Sequence, residues 1–171
     1  CLSKKEVSLV RLAAIGSTDP EPEFVDINSR GETVVTMQEN NHIAIVDRKG
    51  KVISHFSAGA VDLYNIDAND ERGALIFNET QQGRLREPDA VKWVDDDHIA
   101  IANEGDYNGG SRGWTIFDKS GRVVYESNNS FEQEIIKIGH YPDKRSDAKG
   151  VEPESVTTGV FNNTPFVFIG A

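Results

Sequence analysis

The stretch EPDAV at residues 87–91 is one of three similar strings in this chain, and it decides the fold. The other two are EPEFV at residues 21–25 and EPESV at residues 152–156, so the three strings begin 66 and 65 residues apart. An acid-proline-acid string that occurs three times at a nearly constant spacing indicates an internal repeat. We therefore expect one structural unit to recur along the chain.

Each complete repeat predicts four short β-strands, because apolar and polar residues alternate between turn residues. The segments are residues 24–31, 32–39, 40–47 and 48–56 in the first repeat, and residues 90–96, 97–104, 113–118 and 119–127 in the second. The strings DRKG (47–50) and DKSG (118–121) predict equivalent hairpin turns, each with a glycine where a positive φ is needed.

Repeated units of four antiparallel strands predict an all-β fold, the β-propeller. A β-sandwich is the alternative, but sandwiches seldom repeat their sequence internally. The chain spans about two and a half repeats, which begin near residues 21, 87 and 152, whereas propellers close with roughly 4 to 8 blades. We expect residues 1–171 to form part of a single propeller domain, completed by further blades from the same protein or from another chain.

The composition of the chain limits which binding partners are expected. The chain has 28 acidic and 18 basic residues, a net charge of −10, which argues against nucleic acid and favours cations. No apolar run approaches the roughly 20 residues of a membrane-spanning helix. Cys1 is the only cysteine, so no disulfide framework is expected; it is either a lipid-bearing first residue or simply where this sequence begins.

Strand parity places the unusual loops on one rim of the repeat. The acid-proline-acid string enters the first strand, and the loop between the second and third strands returns to the same rim. That loop is longer in the second repeat, because Glu104 and Asp118 are 14 positions apart whereas Glu39 and Asp47 are 8 apart. We expect the extra residues, within GDYNGGSRG (105–113), to lie on the rim that binding sites often occupy.

The acids of this rim are candidate ligands for a divalent cation, calcium most plausibly, because clustered carboxylates repel one another and oxygen ligands suit hard ions. The alternative is that these acids cap turns and accept hydrogen bonds from backbone N–H groups. The candidate metal ligands are Glu87, Asp89, Glu104, Asp106, Glu152 and Glu154.

Basic residues precede the third acid string, in GHYPDKRSDAKG (139–150). Beside a metal ion such groups would hold the oxygens of a phosphoryl group, and the candidates for that catalytic role are Arg112, His140 and Arg145. The alternative is a solvated connector in which Asp143 and Asp147 balance the charge.

Several strings carry a resemblance to a known family: SAGAVDLYNID (57–67), REPDAVKW (86–93), ANEGDYNGGSRGWTIFDKSGRVVYES (102–127), SFEQEIIKIGHYPDKRSDAKGVEPES (130–155) and FVFIGA (166–171). Over about residues 20–171 the chain resembles the secreted propellers of the choice-of-anchor I and esterase-like phytase-domain group, whose relatives include alkaline-phosphatase-named proteins. The resemblance implies a seven-bladed bacterial propeller that is secreted, periplasmic or held at the cell surface.

Two functions are compatible with these residues. The first is a phytase-like phosphoester hydrolase, in which divalent ions held by the acidic rim act on a small anionic substrate. The second is a non-catalytic surface module, in which the same acids bind structural calcium and the rim loops bind a glycan or a protein.

Overall fold

The computed structural model describes residues 6–7, 19–70 and 74–171. Cys1 lies outside these residues. The strands and helices, numbered in chain order, are β1 (Pro22–Ile27), β2 (Thr33–Met37), β3 (His42–Val46), β4 (Val52–Ser57), β5 (Ala60–Ile66), β6 (Glu79–Leu85), β7 (Val91–Trp93), β8 (His98–Ala102), β9 (Trp114–Asp118), β10 (Val123–Glu126), α1 (Ser130–Lys137), β11 (Ser155–Phe161) and β12 (Thr164–Gly170), with a short 3-10 turn at Asp143–Arg145.

The first two repeats each form a four-stranded antiparallel sheet, as the sequence predicts. The strand orders are β1-β2-β3-β4 and β10-β9-β8-β7. The third acid string leads into the hairpin β11-β12, which is the start of a third unit. The all-β fold with its internal repeat is therefore confirmed, while the described residues form no closed ring.

The two predicted hairpin turns have the same structure. In the first, an oxygen of the Asp47 carboxylate accepts hydrogen bonds from the backbone N–H groups of Lys49 and Lys51, at 2.8 and 2.9 Å. Asp118 does the same for Ser120 and Arg122, at 2.9 and 3.1 Å. These bonds favour the charged carboxylate, so the pKa values of both aspartates are lowered; for Asp118 the largest effect is a further hydrogen bond from the Ser120 hydroxyl.

The hydrophobic core lies between consecutive units. The first sheet packs on the second through buried apolar side chains: Val34, Ile43 and Ile45 from the first sheet, and Val91, Trp93, Ile99, Ile101 and Phe117 from the second. A second cluster joins small residues of the second sheet, Ala90, Ala100 and Ala102, to Val156 of the third unit. Each unit thus covers one face of the next.

The two segments that join one repeat to the next contain regular structure. Residues 57–86 include the hairpin β5-β6, and residues 127–151 include helix α1 and the 3-10 turn. Helix α1 has only 8 residues, too short a segment for apolar periodicity to predict with strength. None of the helices in the described part of the chain is long and apolar enough to cross a membrane.

Candidate acidic site at the strand entrances

Glu87 is fully buried, on the rim where the second acid string meets the long loop of residues 105–113. Its carboxylate accepts hydrogen bonds from three consecutive backbone N–H groups, those of Asp106, Tyr107 and Asn108, at 2.8, 2.8 and 2.7 Å. Its own backbone N–H donates to Oδ1 of Asn41, at 2.9 Å. Glu87 therefore holds the long loop in place, and its oxygens are already engaged by N–H donors, as the turn-capping alternative describes.

The loop at residues 105–113 lies on the same rim as the second acid string, which confirms the parity prediction. The backbone N–H of Gly105 donates to the carbonyl of Glu87 at 3.1 Å, and that of Gly110 donates to the carbonyl of Leu85 at 2.9 Å. A Cβ atom at Gly109 would lie 2.6 Å from the carbonyl oxygen of Leu85 and 2.8 Å from the Glu87 carboxyl carbon. Glycine is required there because the loop closes tightly over Glu87.

Asp89 and Glu104 form a carboxyl pair beside this loop. Both side chains are half-buried, and they are close enough for the charge of Glu104 to act on Asp89. Burial, followed by the negative charges of Glu104, Glu23 and Glu154, raises the pKa of Asp89 to about 7. Burial also raises the pKa of Glu104, against the opposing effects of Gln38 and Lys149. Asp89 therefore takes up a proton near neutral pH.

Contacts from both four-stranded sheets hold this pair in place. The Asp89 N–H donates to the carbonyl of Ala102 at 3.0 Å, and its carbonyl accepts a hydrogen bond from the Thr36 hydroxyl at 2.7 Å. Nε2 of Gln38 donates to Oε2 of Glu104 at 3.1 Å. Gln38 was not singled out by its type, but it directly follows β2, and the same strand parity that places the long loop would have put it on this rim.

Lys149 lies among three of the predicted ligands. Its Nζ atom is 3.8 Å from Oε1 of Glu104, 3.6 Å from Oδ1 of Asp106 and 3.6 Å from Oε1 of Glu152. Arg145 also hydrogen-bonds to the Glu152 carboxylate. The structure thus brings together Asp89, Glu104, Asp106, Glu152 and Glu154 and partly neutralises them with two cationic side chains.

Within residues 6–7, 19–70 and 74–171, no three His, Cys, Asp or Glu side chains are arranged as a ready metal site. The nearby donors are carboxylate oxygens, the ligand type that hard cations prefer. Burial and the neighbouring negative charges raise the pKa of Asp89.

The three predicted phosphate-binding groups lie in different surroundings. Arg112 is fully buried, with a φ of 61°. Its guanidinium donates to the carbonyls of Asp67 and Ser146, at 3.0 and 2.6 Å, and lies 3.2 Å from an oxygen of the buried Glu132. Arg145 bonds to Glu152. His140 is exposed and lines a cavity of about 460 Å³ together with Glu154.

The buried Arg112–Glu132 pair was not predicted. Oε2 of Glu132 also accepts a hydrogen bond from the backbone N–H of Val151, at 3.2 Å, and burial raises the pKa of Glu132. The pair joins the long loop to helix α1 and to the approach of the third acid string. An arginine in a glycine-rich loop and a glutamate on a short helix give no sequence signal for a pair buried between segments.

The model of the choice-of-anchor I domain matches this chain in two segments, residues 3–109 and 107–171, which together span almost its whole length. No curated protein matches the chain. Domains of this type are found on exported and cell-surface proteins, which indicates a surface-associated extracellular protein. With its repeat, its antiparallel sheets and its acidic rim, the chain belongs to the choice-of-anchor I domain family.

Proposed function

We propose that this chain supplies consecutive blades of an extracellular β-propeller, that its acidic rim binds a divalent cation, calcium first among them, and that it acts as a non-catalytic surface binding module. The main support for the proposed cation site is the Asp89–Glu104 pair. Burial and the neighbouring negative charges raise the pKa of Asp89 to about 7, so a bare carboxylate is disfavoured there, and a divalent ion that replaces the proton would offset both effects.

The charge of the rim supports the same ligand. Six carboxyl groups act on this site, those of Glu23, Asp89, Glu104, Asp106, Glu152 and Glu154, whereas Lys149 and Arg145 supply two positive charges. The excess is negative even when Asp89 is protonated. An anionic ligand would meet repulsion at this rim, and a cation would be attracted.

The surroundings of the basic residues favour binding over hydrolysis. Phosphoryl transfer at a metal needs cationic groups that reach the anionic oxygens. The Arg112 guanidinium is enclosed by Glu132 and two carbonyl oxygens, and Arg145 is engaged with Glu152. Of the three groups that the hydrolase hypothesis needs, His140 alone is both exposed and without a hydrogen-bonded side-chain partner in the described part of the chain.

The propeller arrangement is supported by the faces at the two ends of the stack. The first sheet exposes Val25 and Ile27 beside an apolar groove that includes Val35 and Val46. In the second repeat the equivalent face is covered by the first sheet. The hairpin β11-β12 exposes aromatic side chains, among them Phe166 and Phe168. Further blades would cover both faces as each described unit covers the next.

Calcium-dependent stability of the full-length protein tests this proposal. A cation that binds only the folded state stabilises it by mass action, about 2.7 kcal/mol at a hundredfold excess over Kd. We expect the melting temperature to rise with calcium over chelator in the wild type, and not in the double variant Asp89→Asn with Glu104→Gln. Glu134→Gln, which removes an exposed carboxylate of α1, is the matched control.

A phosphoester assay on the same samples separates the two functions. If the chain is a non-catalytic binding module, we expect no calcium-dependent hydrolysis of 4-nitrophenyl phosphate, that is, no hydrolysis that chelator abolishes and calcium restores. Such hydrolysis would favour the hydrolase hypothesis. Identical melting curves with calcium and with chelator would contradict the proposed cation site.

A further inference from the structure

A pair of histidines lies on the outer face of the first sheet, the face that points away from the second sheet. Ile43 and Ile45 of β3 pack on the second sheet, so His42, at an alternate position of the same strand, points the other way. His55 of β4 pairs directly with Ala44 and shares this outer face. Nε2 of His42 lies 3.1 Å from Nδ1 of His55, so two strands bring two ring nitrogens into direct contact.

The spacing of this pair suits a metal ion. Two N–H groups cannot point at each other, so one of the facing nitrogens carries a lone pair. Two nitrogens that each lie about 2.0–2.1 Å from one ion are about 3.3 Å apart at a tetrahedral angle, close to the distance in this pair. His42 is only 5% exposed, and burial, followed by the charge of His55, lowers its pKa to about 4.

Met37 of β2 supplies a third donor on the same face. It is the direct cross-strand partner of His42, and it packs on Ala44, which pairs with His55. Directly opposite residues have Cβ atoms about 4.5–5.5 Å apart, and the methionine side chain has three rotatable bonds. The thioether sulfur can therefore turn toward the His42 ring without any movement of the backbone.

The equivalent place in the second repeat holds a positive charge. Glu126 follows the DKSG turn at the same distance as His55 follows the DRKG turn, and the two residues have equivalent strand partners. The Glu126 carboxylate accepts hydrogen bonds from Nε and Nη2 of the largely buried Arg86, at 2.9 and 2.7 Å. Arg86 directly precedes the second acid string, and Pro20 is its counterpart before the first. The first repeat thus has a histidine for the carboxylate and a proline for the arginine.

The donor types select a soft ion of low charge. Thioether sulfur favours copper(I), imidazole suits copper as well as zinc, and calcium and magnesium prefer oxygen. Among the described residues, His55 is the one charged group that acts on the pKa of His42, so no carboxylate there offsets the charge of an ion. Because the cost of burying an ion rises with its charge, a singly charged ion is favoured over a divalent one.

We propose that His42, His55 and Met37 bind a copper(I) ion, which takes the place of the hydrogen between the two rings. The ring that donates this hydrogen then carries its proton on its other nitrogen, so both rings remain neutral ligands. This site is separate from the Asp89–Glu104 pair and does not depend on calcium.

Anaerobic titration of the full-length protein with copper(I), against a chromophoric copper(I) chelator, tests the proposal. The titration uses a Cys1→Ser background, because a thiolate would bind the same ion. We expect one tightly bound copper(I) ion per chain, and zinc to bind at least about tenfold more weakly. Zinc binding as tight as copper(I) binding would overturn the choice of ion.

Variants locate the binding. His42→Gln, His55→Gln and Met37→Leu should each lower the copper(I) affinity at least about tenfold, because even the loss of a hydrogen-bond partner of a metal ligand lowers affinity by that much. His55 is exposed and Met37→Leu nearly conserves volume, so these two variants should fold. His98→Gln, which removes an imidazole bonded to Asp95, is the matched control and should change nothing. Unchanged affinity in His55→Gln would overturn the proposal, and unchanged affinity in Met37→Leu would overturn the sulfur ligand.

Nuclear magnetic resonance with silver(I), a singly charged soft ion that air does not oxidise, separates ligands from structural residues. The methyl signal of Met37, identified by its loss in Met37→Leu, should shift together with the ring signals of His42 and His55. Ring and methyl signals that do not move would contradict the site. The double variant Asp89→Asn with Glu104→Gln should keep copper(I) binding, so a failure of the calcium test with copper(I) binding retained would contradict the rim cation alone.

Discussion

Asp89 and Glu104 lie at the same edge of the second sheet although they come from different sides of the β7-β8 hairpin, and after burial the charge of Glu104 is the largest cause of the raised pKa of Asp89. Asp89 precedes β7 and Glu104 follows β8, so antiparallel pairing brings the two side chains to the same edge. The two residues are distant in the sequence, and the strand pairing of the repeat brings them together.

The raised pKa of Asp89 predicts a pH-dependent stability. Its pKa is about 7 in the folded state against 3.8 in the unfolded state, so between these values the folded protein binds more protons. In this window the free energy of unfolding falls as pH rises. We expect Asp89→Asn to be the more stable protein at pH 8, by about 1–2 kcal/mol after allowance for solvent screening, and the two to differ little at pH 4.

Urea denaturation of both proteins at several pH values, with chelator present, measures this difference. Asp118→Asn is the contrasting variant, because hydrogen bonds lower the pKa of Asp118 and the folded state prefers its charged form. That variant should lose stability at neutral pH and approach the wild type as acid is added. A constant difference between Asp89→Asn and wild type from pH 4 to pH 8 would contradict the prediction.

Glu87 should be essential for the long loop. Its carboxylate accepts three backbone N–H bonds in a buried position, and hydrogen bonds to a charged group contribute roughly 1.5–3 kcal/mol each. Glu87→Gln keeps the size but turns an NH₂ group toward N–H donors, so we expect at least about 2 kcal/mol lower stability and faster hydrogen exchange at residues 106–108. Asp106→Asn, on an exposed side chain, is the control, and equal exchange in both variants would show that Glu87 does not hold the loop.

The buried pair of Arg112 and Glu132 should be strongly coupled. Removing one partner leaves the other charge buried and unpaired, which costs roughly 3–5 kcal/mol. We expect Arg112→Met and Glu132→Gln each to destabilise the protein, and the double variant to be much less unstable than the sum of the two. A double-mutant cycle measured by urea denaturation checks this, and strict additivity would mean that the pair makes no net interaction.

Much of the fold was predictable because it depends on a repeat. The acid-proline-acid strings and the DRKG and DKSG turns mark both four-stranded sheets, and strand parity places residues 105–113 beside Glu87. The roles within the rim were harder to predict. Glu87 and Asp89 lie two positions apart and both carry a carboxyl group. Backbone N–H groups donate to the Glu87 carboxylate, whereas burial and the charge of Glu104 raise the pKa of Asp89. The sequence predicts which acidic residues lie close together, but it does not predict which hydrogen-bond donors each carboxylate has.

Helix α1 and the hairpin β5-β6 were missed for a different reason. They lie between repeats and follow no periodicity of the repeat itself, and each is stabilised by partners distant in the chain. Glu132 on α1 meets Arg112 of the long loop, and Asn129 before α1 donates to the carbonyl of Tyr64 on β5 at 2.7 Å. Local propensity carries no information about such contacts.

A pair of glycine substitutions isolates the steric requirement of the long loop. Gly105 and Gly139 have nearly the same φ, 74° and 76°, so replacing either with alanine imposes the same backbone strain. Their surroundings differ. A Cβ at Gly105 would lie 2.1 Å from the backbone N of Gly110, whereas a Cβ at Gly139 would meet nothing within 4 Å.

We expect Gly139→Ala to cost about 1–2 kcal/mol, the strain of a left-handed residue, and Gly105→Ala to cost clearly more because the loop must open. Urea denaturation gives the two stabilities, and hydrogen exchange at residues 106–108 shows whether the closure over Glu87 is lost. Similar costs for both variants, with exchange unchanged, would mean that the loop relaxes around an added methyl group and that its tight closure is not what presents the rim.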